Sequence, residues 1–154
     1  MTADVHESEF PDYEDWRNGF ETPLDVKSYL DVHLSVTTAF LFTRLLFPEF
    51  IIRRGCVLVA PLFNEGNFEK LWSGGTDPAR IEFLLNQLNL WDILSPDTDA
   101  EYRAAEVIAG RMAEAWRLAA QQQIPDRDLF IDASERYGPT VVLYSRPRDL
   151  GLSD

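Results

Sequence analysis

Cysteine is almost missing from this 154-residue chain. Cys56 stands alone, so no intramolecular disulfide can brace the fold and no cysteine-rich zinc site can form. Basic charge is also scarce. Fourteen Lys and Arg, twelve of them Arg, face 26 Asp and Glu, for a formal net charge of −12 and a pI near 4.5. A nucleic-acid-binding protein would need a basic footprint that this balance does not supply. No internal repeat of roughly 20–50 residues and no low-complexity tract occurs. Phosphate-cradling and nucleophile-elbow patterns (G-x-G-x-x-G, P-loop, G-x-S-x-G) are likewise missing. What is present is 45% hydrophobic and 26% charged, a globular composition at a length suited to one core.

Acid is concentrated at the start. Residues 1–22 hold Asp4, Glu7, Glu9, Asp12, Glu14, Asp15 and Glu21 against Arg17, which is −6 of the −12. A secretory signal has a basic start and an apolar run, the reverse of this pattern. Between the acids, Phe10, Tyr13, Trp16 and Phe20 recur at spacings of three, three and four, one face of a short helix. Each ring can bury roughly 150–250 Å², so something should cover them. The candidates are the body of the protein, a second subunit or a partner. Acids interleaved with aromatics suit a basic protein partner, because charge steers encounter and aromatic rings anchor it. The chain therefore divides into an acidic aromatic segment, 1–22, and one α+β domain, 23–154.

The longest apolar stretch, residues 30–47, lies between Pro23 and Pro48 and contains Asp31, His33 and Arg44. Each charge placed in hydrocarbon would cost roughly 2.5 kcal/mol or more, so the stretch reads as a buried helix rather than a membrane span. The spacing predicts one helix over 25–46, weakened by Val32, Val36, Thr37 and Thr38. One or two strands are expected over 50–60, with a turn or bulge near Arg54-Gly55. A second helix starts at Asp77-Pro78 with a stripe of Ile81, Leu84, Leu85 and Leu88. A third is capped by Thr98 and Glu101, with Tyr102, Ala105, Ala109, Met112, Trp116 and Ala119 recurring at helical spacing as its inward face. A hairpin of 129–133 and 140–145 closes the chain. Grouped strands favour α+β: a three-helix layer on a small, mainly antiparallel sheet of about four strands.

Few residues offer chemistry. Asp25, Tyr29 and His33 are four apart and share a helical face, an arrangement that could relay a proton or form part of a ligand site. Two ordinary ligands fall short of a metal site, and Asp31 points elsewhere. Cys56 opens an apolar strand and reads as a core thiol. Gly74-Gly75 reads as a turn, since Asp77 would repel an anion at the following helix. Arg146 and Arg148 flank Pro147 at a strand end and read as solvated. No cofactor is implied. The sequence is read as a cytoplasmic, non-catalytic acidic binding or regulatory protein engaging a basic protein, of inhibitor or immunity type. The alternatives are a small enzyme using His33 with Asp25 and Tyr29, or a structural subunit of a homo-oligomer such as a homodimer.

Overall fold

Local capping signals set where most helices begin. In the computed structural model, which describes residues 4–134 and 138–146, a 3-10 turn (Glu7–Glu9) leads into α1 (Pro11–Asn18), with proline in its first turn. Helix α2 (Val26–His33) is capped by Asp25, whose carboxylate accepts from the Ser28 amide. Helix α3 (Val36–Leu46) is capped by Ser35, whose hydroxyl accepts from the Thr38 amide at 3.0 Å. The single helix expected over 25–46 is thus two. Leu34 and Ser35 adopt extended backbone. Ser35 heads the β-branched run Val36-Thr37-Thr38, so a new N-cap competes well with continued helix.

Strands β1 (Phe50–Arg53) and β2 (Cys56–Val59) form an antiparallel hairpin with Phe50 opposite Val59 and Arg53 opposite Cys56. Arg54 and Gly55 both have positive φ, 48° and 83°, as a two-residue turn matched to strand twist requires. Helix α4 (Glu65–Ser73) follows, capped by Asn64, whose side chain accepts from the Asn67 amide. Helix α5 (Pro78–Leu85) ends before Leu88, which lies instead in the short strand β3 (Leu88–Asn89). A single-turn helix, α6 (Trp91–Leu94), precedes α7 (Asp99–Gln123), whose Thr98–Glu101 capping box forms as expected. Strands β4 (Leu129–Ser134) and β5 (Thr140–Ser145) pair antiparallel, Leu129 opposite Ser145 and Ser134 opposite Thr140. Most of the loop between them, 135–137, lies outside the described residues, as does Arg148.

The class is α+β, with antiparallel sheets ordered β1-β2 and β3-β5-β4. Strand β2 is buried along its whole length. Val57 and Val59 face the core of α7 with Met112, Trp116, Val141 and Leu143, while Cys56 and Leu58 face Phe68 of α4 and Ile81 of α5. Helices therefore cover both faces of β2, which explains its unbroken apolar sequence.

Between β2 and β5 the ladder is made by side chains. Glu82 is 1% exposed, and its carboxylate accepts from the Val57 amide at 2.7 Å and the Ser145 amide at 2.5 Å. Asn86, one turn on, accepts from the Val59 amide at 2.9 Å and donates to the carbonyls of Val57 at 2.9 Å and Leu143 at 3.3 Å. Two strand edges are satisfied by one helix, which meets the requirement that buried backbone groups be paired.

Candidate functional site

The two residue groups singled out at the start of the chain meet in space. Helix α1 lies against α2, and Trp16 sits at the centre of the contact. Its ring centroid is 5.2 Å from Tyr29 and 5.6 Å from His33, both near perpendicular, and 5.3 Å from Phe20. Tyr13 meets Tyr29 edge-on at 5.2 Å, and Tyr29 stacks on His33 at 4.1 Å. Edge-to-face and offset contacts of this kind add to simple burial. Tyr13 is buried, Phe10 and Trp16 are half-buried, and Phe20 remains 47% exposed.

The line Asp25–Tyr29–His33 is held by local bonds. Asp25 Oδ1 accepts from the Ser28 amide at 2.9 Å and its hydroxyl at 2.8 Å. Those two bonds hold the Asp25 carboxyl below its ordinary range. No hydrogen bond joins it to the Tyr29 phenol. His33 Nδ1 donates to the Tyr29 carbonyl at 2.8 Å, a contact within one helical turn. Asp25 is therefore a cap and His33 a stacked ring at a helix end. Among the described residues no three His, Cys, Asp or Glu side chains are grouped to hold a metal ion.

On the other side of the α1–α2 contact lies a cleft of about 410 Å³. Its apolar wall is Phe10, Tyr13, Val26 and Tyr29, and Glu7, Asp12 and Glu101 are its acids. Glu101 is already engaged, accepting from the amides of Asp97 at 2.6 Å and Thr98 at 3.2 Å. Glu7 and Asp12 are in no ion pair among the described residues. One wall is fastened to α7 by the ion pair of Glu9 with Arg103, which holds the Glu9 carboxyl low and the Arg103 guanidinium high. Burial, with the Glu7 charge second, pushes the Tyr13 phenol up. An apolar wall with carboxylates above it fits a side chain that has an aliphatic stem and a cationic head. Val26, Thr98 and Glu101 were not singled out from the sequence as members of this site. Each carries an ordinary local role there, and only the fold brings them to Tyr13.

Elsewhere the chemistry is structural. Cys56 is fully buried, and desolvation first, then the Glu82 and Asp77 charges, pushes its thiol up to about 11. Gly75, with φ at 75°, turns the chain after α4, and Asp77 caps α5. Arg146 is exposed and pairs with Asp128 at 3.7 Å. A second concavity of about 620 Å³ lies over β4 and β5 beside Phe83, Phe130 and Tyr144. Its Arg80 lies over the Phe83 ring, and its Asp132 is bound to Arg117 at 3.1 Å.

One expectation is corrected. Residues 30–47 are not a buried helix: α2 and α3 contain no buried residue, and Val32, Val36 and Phe40 are 67%, 88% and 61% exposed. The helices run along the edge of the body, so only one side of α3 meets the core. No helix among the described residues is long and apolar enough to cross a membrane. No family model, curated protein or solved structure matches this chain.

Proposed function

We propose that this chain is a non-catalytic binding protein that receives a basic segment of a partner protein at the cleft between α1, α2 and the start of α7. The observation carrying the reading is the pairing of an apolar wall with acids, Glu7 and Asp12, that are in no ion pair among the described residues. A basic side chain from outside would complete both halves of the site. The charge of −12 supports it by steering such a partner toward the surface. With Asp25 engaged as a cap, Tyr29 and His33 lack the carboxylate that a proton relay would need. An inhibitor or immunity role toward a basic, nucleic-acid-acting protein is the form we favour. The lone cysteine suits a reducing compartment, and we take the cytoplasm as the location.

Calorimetric titration of the full chain with a short arginine-rich peptide tests this. Binding should appear at low salt, weaken as salt rises, and fall about fivefold or more in the Glu7→Gln/Asp12→Asn double variant. No heat at low salt, equal binding of a glutamate-rich peptide, or indifference to the double variant would each refute it.

A further inference from the structure

The single-turn helix α6 presents a tryptophan that the fold fixes but does not cover. Leu90, fully buried, donates its amide to the Pro139 carbonyl at 2.9 Å, and the Trp91 amide donates to Asn89 Oδ1 at 2.9 Å. The Trp91 ring lies on Gly138, where a Cβ would come within 2.9 Å of three ring atoms, so only glycine admits the ring there. Tyr102 of α7 meets the same ring near perpendicular, with centroids 5.8 Å apart. Periodicity put Tyr102 on the inward face of α7, yet both rings are 42% exposed. Two rings at a right angle, one of them backed by the chain, form an open corner whose shape is set before anything binds.

Charge names the occupant. Asp99 and Glu106 lie three residues before and four after Tyr102, on its side of α7, and Asp92 follows Trp91. All three are exposed and in no ion pair among the described residues. The cation beside Tyr102 on the helix, Arg103, is held by Glu9. An anionic bilayer would meet these carboxylates with more negative charge, and so would a second copy across a two-fold axis. An arginine side chain meets no such obstacle, because aromatic faces attract its planar cation and carboxylates neutralise it. We propose that the Trp91–Tyr102 corner is a second anchor for the basic partner, seating an arginine guanidinium of that partner against the two rings. Thr98 and Glu101 of the cleft and Asp99 and Tyr102 of the corner belong to the cap and first turn of α7, so one basic segment straddling that turn fills both sites. The inference rests on the basic-partner reading and adds to it an aromatic contact outside the cleft.

Calorimetric titration of the full chain with a short arginine-rich peptide at low salt separates the two sites. Trp91→Leu should weaken binding about fivefold and Tyr102→Leu about threefold, while Trp91→Phe, which keeps a ring face, should stay within about twofold of the parent. The losses should persist in the Glu7→Gln/Asp12→Asn background, because corner and cleft are separate contacts. In the unaltered protein the Trp91 indole N–H resonance should shift as the peptide is added, a measurement independent of whether any variant folds. Parent-like binding by Trp91→Leu and Tyr102→Leu, a Trp91→Phe as weak as Trp91→Leu, or an unmoved Trp91 resonance at saturation would overturn the corner and leave the cleft standing. Weakening by the ring variants with indifference to the Glu7 and Asp12 changes would support the corner and refute the cleft. No binding of the peptide to the parent at low salt would refute both.

Discussion

Glu82 of α5 and Asn86, the residue that caps its C-terminus one turn on, act together as a rung between β2 and β5, with Glu82 receiving the amides of Val57 and Ser145 and Asn86 that of Val59. Replacing either by leucine leaves strand N–H groups without acceptors. We expect Glu82→Leu to cost about 2–5 kcal/mol and Asn86→Leu about 2–4 kcal/mol in urea unfolding. Glu82→Gln retains one acceptor and should cost less than Glu82→Leu. A loss under about 1 kcal/mol for Glu82→Leu would mean that the strands close on each other without the carboxylate.

Trp116 is fully buried at the centre of the α7 core and also holds α3 through the Leu45 carbonyl. Trp116→Ala should cost ~3–5 kcal/mol, as truncation of a buried large aromatic does. Trp116→Phe isolates the hydrogen bond and the lost ring, and should cost markedly less. If the two variants unfold at the same urea concentration, burial of the larger ring contributes little.

Cys56 should resist thiol reagents in the folded protein. Its thiol is fully buried, and desolvation pushes it up to about 11, so the thiolate is a trace species at neutral pH. Labelling by a disulfide reagent is expected only at the rate of unfolding, and to accelerate with denaturant. Rapid labelling without denaturant would place Cys56 at a surface.

The N-terminal segment should loosen in acid. Glu9 and Asp25 both titrate below their ordinary values in the fold, Glu9 through Arg103 and Asp25 through Ser28. A lowered folded pKa contributes stability that is fully present above the unfolded value, about 4 for these groups, and is lost as pH falls below it. Near-UV circular dichroism of the Tyr13–Trp16–Tyr29 cluster should be steady from neutrality to about pH 5 and decline below about pH 4. A decline centred near neutrality would point to a histidine instead.

His33→Gln should leave the fold intact and cost under about 1 kcal/mol, because the ring is exposed and its one hydrogen bond lies within α2. Elemental analysis of both proteins adds a second measurement. A stoichiometric metal present in the parent and missing from the variant would make His33 a ligand and favour the enzyme alternative.

Capping and periodicity are properties of neighbouring residues, and they were legible. The Thr98–Glu101 box starts α7, Asp77-Pro78 starts α5, and Arg54-Gly55 turns the first hairpin. The spacing of Phe10, Tyr13, Trp16 and Phe20 announced a short helix, and α1 (Pro11–Asn18) runs beneath its middle. The break at Leu34-Ser35 was harder, because an apolar run and a serine cap make opposite local arguments. Leu88 fitted the helical stripe of its neighbours but pairs with Val141 instead.

The sequence by itself determined the α+β class, the acidic character, the core place of Cys56 and the inward face of α7, since contiguous residues carry those signals. Only the tertiary structure decided that Trp16 would lie on Tyr29 and His33, and that Glu82 and Asn86 would stand between two strands. It also decided that the apolar run 30–47 would be left largely uncovered. Hydrophobicity states that a surface should be buried, but which distant segment comes to bury it is set by packing, and packing is fixed only when the whole chain has folded.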